Sequence, residues 1–305
     1  MSTPTFVLPP GVDLRARPLR AEDADAVVAL ARVDEVETLP EPMFELVDVQ
    51  RIWSQPSTDL EHRSLALLDG DRLVAYALVG RHGRLDAVVA ASQRGRGIGH
   101  ALLAWAMATA RLGGERQVSQ TVPAGSPAET FLVAAGARAE YDAWILELPP
   151  ERALTPQPLP HGFTLGEGRP EEMRDVHRLV EAAFGEWPGR QPVAYEEWAA
   201  DFLEGEEAAP WRCRVVRESA GRVAGVAMVI GSEDGMLWVD ELAVDARQRG
   251  QGLARALLAD SFAEGRRRGL LRSGLSTDSR TGALGVYQHL GMEVASTFRH
   301  LVLPV

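Results

Sequence analysis

Apolar and polar positions along the chain trace one order of elements twice. "RAEDADAVVALARV", from Arg20, opens on acidic residues and then spaces its apolar residues three and four apart, which predicts an amphipathic helix. "RPEEMRDVHRLVEAAF", from Arg169, reads the same way. A hairpin follows in each half, "LALLDGDRLVAYALVG" and then "RVVRESAGRVAGVAMVIG", where a tight polar turn joins two apolar runs. Next come a strand ("LDAVV", "LWVDELAV"), a glycine-broken turn, and a long amphipathic helix ending near Gly113-Gly114 or Gly269. A strand and a helix close each half around "FLVAAGA" and "VYQHLGM". Equivalent residues lie 150 apart at the hairpin (Arg72, Arg222) and 155 apart at the glycine turn (Arg94, Arg249), which puts about five extra residues near "GSEDGM" in the second copy. This is a duplication with drift, not a short-period solenoid. Between the copies, "LELPPERALTPQPLPHGF" carries five prolines and predicts an extended linker. The expected division is a domain at 1–149, a linker at 150–162 and a domain at 163–305, in the α/β (α+β) class.

Composition narrows the function classes. The 305 residues fit two domains of roughly 150 residues. No apolar run approaches the roughly 18 residues of a membrane span. The opening "MSTPTFVLPPGVDLRARP" lacks the basic start and apolar core of a signal peptide. The single cysteine, Cys213, cannot form an internal disulfide and fits a reducing compartment, so the cytoplasm is expected. A net charge of −11 argues against nucleic-acid or anionic-membrane partners and suits a cationic substrate such as an amine. The seven histidines show no metal-ligand spacing, so no metal is expected.

The chemistry concentrates at the two glycine turns. Arg94-Gly95-Arg96-Gly97-Ile98-Gly99 and Arg249-Gly250-Gln251-Gly252-Leu253-Ala254 each follow an apolar strand and open a helix. Small residues let the backbone approach a ligand, and the first N–H groups of a helix have no internal partners, so the pair makes an anion site. The spacing is neither G-x-G-x-x-G nor a P-loop. The alternative is that the glycines only permit a tight connection. The pattern V-x-x-x-x-R-G-x-G-[IL]-[GA]-x-A-L-L resembles the acetyl-CoA motif of the GNAT superfamily of N-acetyltransferases, and the element order of each half resembles that fold.

The resemblance implies two tandem GNAT-like domains, each a mixed, mostly antiparallel twisted sheet flanked by helices, with acetyl-CoA as cofactor. It also implies that the turn and helix start hold the pyrophosphate, and that the preceding strand holds the pantetheine arm. In the second copy these are Leu242, Ala243 and Val244, then Arg249, Gly250, Gln251, Gly252, Leu253, Ala254 and Arg255. In the first copy they are Ala87, Val88 and Val89, then Arg94, Gly95, Arg96, Gly97, Ile98, Gly99 and His100. The family's acid is often a tyrosine four residues before a glycine. Tyr287 before Gly291 fits, whereas the first copy has Leu132 before Gly136.

For the base, "MLWVDELAV" resembles the acidic pair of amine acetyltransferases. Successive strand side chains face opposite ways, so Asp240 and Glu241 remain alternatives. The first copy has Leu85 and Asp86 there. Many family members carry an asparagine where this chain has Arg280. Arg266, Arg267 and Arg268 either reach the coenzyme's 3′-phosphate or simply complement a helix C-terminus. Glu186, Trp187 and Tyr195 either cradle a cationic acceptor or belong to core and surface, and Trp198 shares that ambiguity.

The resulting expectation is an acetyl-CoA-dependent N-acetyltransferase acting on a primary amine of a small molecule, by direct transfer in the C-terminal domain. The N-terminal domain is expected to be degenerate while retaining the coenzyme cradle, in a monomer or homodimer. The alternatives are an enzyme similar to the tandem GNAT mycothiol synthases, an antibiotic-acetylating enzyme, and a non-catalytic acyl-CoA-binding or sensing protein.

Overall fold

A computed structural model describes residues 4–156, 158–187, 190–203, 209–232 and 235–305. The chain divides into two units, Met1–Asp142 with Ser296–Val305, and Ala143–Ala295. In the first, the order is β1 (Arg15–Arg17), α1 (Ala24–Glu35), α2 (Leu46–Ser54), α3 (Leu60–Arg63), β2 (Ser64–Asp69), β3 (Arg72–Val79), β4 (Leu85–Val89), α4 (Ile98–Leu112), β5 (Gln117–Pro123), α5 (Pro127–Ala134) and the start of β6 (Arg138–Leu148). Strands β1 to β4 form an antiparallel sheet in sequence order. Alternation along β2 and β3 sends Leu65, Leu67 and Ala75 toward α4, and Ala66, Leu68 and Tyr76 toward α1.

The second unit repeats the plan with β7 (Phe163–Glu167), α6 (Met173–Phe184), α7 (Tyr195–Phe202), β8 (Cys213–Glu218), β9 (Val223–Gly231), β10 (Met236–Val244), α8 (Leu253–Arg267), β11 (Arg272–Asp278), α9 (Leu284–His289) and the start of β12 (Glu293–Pro304). Its sheet runs β7-β8-β9-β10-β11 and ends on residues 143–148 of β6; only β10 and β11 are parallel. The acidic opening of each first helix has a double task. The Asp23 carboxylate accepts from the Arg20 N–H at 2.8 Å and from the Arg17 guanidinium at 2.6 and 2.8 Å. Glu172 accepts from the Arg169 N–H at 2.8 Å and from Arg217 at 2.5 and 2.6 Å. In both cases the arginine hydrogen bond holds the carboxyl below its ordinary range.

The units differ from the expected 1–149 and 163–305 at their closing strands. Residues 143–148 pair with β11, where Leu146 and Leu148 complete the second unit's core. Residues 298–304 pair with β5 in the first unit, where Leu301 and Leu303 are buried. The proline-rich stretch is also anchored, since Leu154 and Leu159 enter the second unit's apolar cluster and Arg152 donates to the Gly291 carbonyl at 2.9 Å. The second copy's extra residues lengthen strands: β9 and β10 have nine residues each, against eight and five in β3 and β4. Residues 233–234 of "GSEDGM" lie outside the described residues. Among the described residues, no helix is long and apolar enough to cross a membrane, and no cluster of potential metal ligands occurs.

Candidate active site

The site grows from two local features of the second unit. Gly252, at φ +81°, is the N-cap of α8, and a Cβ added there would meet nothing within 4 Å. The turn's backbone is therefore open to a ligand at the positive end of a helix. In the first turn of α8, Nε of Arg255 is buried without a hydrogen-bond partner among the described residues. The second feature is a gap beside β10. Its parallel pairing with β11 covers only Met236 to Val239, so among the described residues Glu241 to Val244 have no strand partner on that side. An open strand edge leading to an open helix N-terminus fits an extended ligand with an anionic end, as coenzyme A is.

A β-bulge at Asp240 decides which acid points inward. Leu237 and Val239 face α8, and beyond the bulge Leu242 and Val244 do so. An unbroken strand would have kept 241 and 243 on that face. The slip instead leaves Asp240 exposed and buries Glu241, 7 % exposed, on the α6–α7 side with Ala243. Oε2 of Glu241 accepts from the Trp198 indole N–H at 2.9 Å. Burial pushes the Glu241 carboxyl up to about 7, with Trp198 and Arg190 opposing the rise while Asp240 and Glu181 add to it.

Tyr287 reaches its place through the end of α9. The Thr281 hydroxyl accepts from the Ala283 N–H at 3.1 Å and starts the helix. Gly291, at φ +88°, ends it: the Gly291 N–H donates to the Gln288 carbonyl and the Met292 N–H to the Tyr287 carbonyl, a Schellman motif. The tyrosine packs in one apolar cluster with Leu242 and Val244. Burial raises its phenol above the usual value. Its hydroxyl has no hydrogen-bond partner among the described residues. Arg280 pairs with Asp278 in the turn before α9.

The other candidates fall into place around this core. Arg249 donates both terminal nitrogens to Glu186 at 2.8 Å, so this glutamate pins the glycine turn to the segment after α6. Trp187 stacks on Phe184 at 4.5 Å between ring centroids. Tyr195 lies 5.6 Å from the His177 ring with the Arg174 guanidinium over its face, so only Tyr195 of the three predicted acceptor residues adjoins the Trp198–Glu241 pair. Gln251 donates to Gln248 within the turn. Arg267 and Arg268 pair with Glu264, and Arg266 donates to the Arg152 carbonyl, as a helix C-terminus requires. A cleft of about 490 Å³ adjoins the turn, lined by Asp175, Arg178, Glu186, Asp245, Arg247 and Arg249 among others, but neither Glu241 nor Tyr287 lines it.

The first unit keeps the same backbone and fills it. Gly97 has φ +82° and Gly136 ends α5 in the same Schellman motif, with buried Leu132 where the second copy has Tyr287. Pro9 lies 3.4 Å from the point a Gly97 Cβ would occupy, and Phe131 lies 3.3 Å from that of Gly99 and edge-on to His100. The Gln120 amide donates to the Ala87 carbonyl at 2.9 Å, across the side where the second copy is open. Val88 and Val89 pair with β3, while Ile98 is buried at the start of α4. Arg94 is held by Asp34 at 2.5 Å and Glu37 at 2.7 Å, as Arg249 is by Glu186, and Arg96 by Gln93. Asp86, the counterpart of Glu241, accepts from the buried Tyr76 hydroxyl at 2.9 Å.

Residues 173–292 match the acetyltransferase (GNAT) family. The second half is thus similar to the GNAT family. The chain is 28% identical over 293 residues to a mycothiol acetyltransferase of Thermobispora bispora, covering 92% of this chain and 95% of that one. A GCN5-related N-acetyltransferase from Sphaerobacter thermophilus superposes with a TM-score of 0.78 at 27% identity, over 95% of both chains. A tandem GNAT protein from the clavulanic acid biosynthesis pathway gives 0.74 at 20% identity, over 96% of this chain and 98% of that one. The whole chain thus has the tandem GNAT fold, and the GNAT turn occurs in both copies.

Proposed function

We propose that the second unit transfers an acetyl group from acetyl-CoA to a primary amine of a small molecule, with Glu241 as base and Tyr287 as acid, and that the first unit does not catalyse. The observation that carries this reading is a pair of titrating groups at the open stretch of β10 whose environments set them far apart. Glu241 ionises near 7, and Tyr287 stays protonated beyond the ordinary phenol range. At mildly alkaline pH one can therefore accept a proton while the other donates one.

Bound acetyl-CoA supplies the acetyl group and a thiol leaving group: the amine nitrogen forms the new bond to the acetyl carbon as the carbon–sulfur bond breaks. Ionised Glu241 takes the ammonium proton, directly or through one water. Nitrogen still carries a second surplus proton after the new bond forms; the Tyr287 hydroxyl gives its proton to the departing sulfur and regains one from that nitrogen, directly or through water, as the amide is released. The open backbone from Glu241 to Val244 and the turn from Gly250 to Arg255 would hold the coenzyme. A small-molecule acceptor agrees with the name of the Thermobispora bispora relative.

Screening an amine panel for acetyl-CoA-dependent thiol release tests the reading. With any acceptor so found, Tyr287→Phe should lower kcat on the order of 10²-fold and leave coenzyme affinity by calorimetry unchanged. Undiminished turnover would remove Tyr287 as the acid. Coenzyme binding with no turnover on any amine would favour an acyl-CoA-binding protein.

A further inference from the structure

We propose that Trp198 is a positioning residue for Glu241: its indole N–H fixes one carboxyl oxygen and leaves the other to take the acceptor's proton. This rests on the proposed role of Glu241 as base. Trp198 is 3 % exposed, in the middle of α7, and its only hydrogen-bonding atom, Nε1, donates to Oε2 of Glu241 at 2.9 Å. Oε1 has no partner among the described residues. A tryptophan that served only as core would need any acceptor for its N–H, and backbone carbonyls are the common choice. Here the acceptor is the one carboxylate turned inward by the bulge.

Further contacts hold the indole. His177 lies 5.4 Å from its ring, Tyr195 6.0 Å and Phe202 5.5 Å. Nε2 of His177 is in turn within 2.9 Å of the Val193 carbonyl, whose N–H donates to Glu181 at 3.0 Å, while Arg190 donates to the other Glu181 oxygen. The indole is therefore set by α6, by α7 and by the segment between them.

The groups that face Glu241 are known from every side. Asp240 adjoins it on β10, Glu181 comes from α6 and Arg190 from the following segment, while His177 and Tyr195 pack on the Trp198 ring that bonds it. Cys213, its thiol pushed up to about 12 by burial, comes from β8. None but Trp198 among the described residues hydrogen-bonds the carboxyl. Loss of that N–H removes a donor to the ionised form, so ionisation moves to higher pH.

Two measurements test this in the full chain. With ¹⁵N-labelled tryptophan, the Trp198 indole proton resonance should titrate with a midpoint near 7 and stop titrating in Glu241→Gln. A resonance insensitive to pH in the parent protein would overturn the proposal. In Trp198→Phe, the acid limb of kcat/KM should move to higher pH by about one unit, roughly a tenfold loss at pH 6 that largely recovers by pH 9. A uniform fall at every pH, with the limb unmoved, would mark Trp198 as structural and overturn it. If Trp198→Phe fails to fold, the resonance decides alone. The failure of the base assignment reads differently: Glu241→Gln would keep its activity whatever the indole does.

Discussion

Glu241→Gln is expected to lose activity and gain stability at the same pH. As the proposed base, Glu241 would contribute on the order of 10²- to 10⁴-fold, and the amide cannot accept the ammonium proton. The gain follows from the cause that makes the carboxyl useful. Its folded-state value, about 7 against 4.5 for the free group, is raised because burial disfavours the charge. A raised carboxyl favours the folded state fully below its unfolded value, and that contribution is lost as pH rises to the folded value. Above pH 7 the native protein holds an ion in a site that is 7 % exposed, at a cost of about 3 kcal/mol. Glutamine keeps an oxygen for the Trp198 N–H and carries no charge. Urea unfolding should therefore show the variant more stable than the parent by about 2–3 kcal/mol at pH 8, and the two nearly equal at pH 4.5. Equal stability at both pH values would mean the carboxyl is not held against its charge. Full activity at pH 8 would mean the proton goes elsewhere.

What the sequence made legible is what short-range geometry demands. The two glycine turns and the two helix-ending glycines need a left-handed residue at a fixed offset, and such needs survive drift between copies. The loss of Tyr287's counterpart was legible for the same reason: Leu132 occupies the same place in the same motif. The choice between Asp240 and Glu241 was not, because strand alternation assumes an unbroken register and a single bulge reverses it. Nor was the exchange of closing strands, since residues 143–148 and 298–304 carry similar apolar positions and their partners lie far along the chain. Charge pattern alone left one side chain open. Glu186 looks like a cation ligand for an acceptor, yet the cation it holds is Arg249 of the glycine turn. The tryptophan that sets the carboxylate carried one usable signal: a buried indole needs an acceptor, and the strand beside it offered a buried acid.

The same contrast between copies predicts one coenzyme site per chain. Gly252→Val and Gly97→Val place a β-branched residue at φ +81° and +82°, so each should weaken its unit by about 1–2 kcal/mol, a cost that thermal unfolding measures in parallel. Their effects on coenzyme binding should part. At Gly252 the new side chain projects into open space at the start of α8, where an anion must approach the backbone; affinity for acetyl-CoA should fall at least about 100-fold, equivalent to about 3 kcal/mol. At Gly97 the space already holds Pro9, and the strand edge beyond it is taken by the Gln120 amide on the Ala87 carbonyl, so affinity should not change. Calorimetry on the parent protein should accordingly give one site, lost in Gly252→Val and retained in Gly97→Val. Two sites in the parent would mean that Pro9 and Gln120 give way to the ligand, because removing the Gln120 hydrogen bond and the Pro9 contact costs less than the cradle gains.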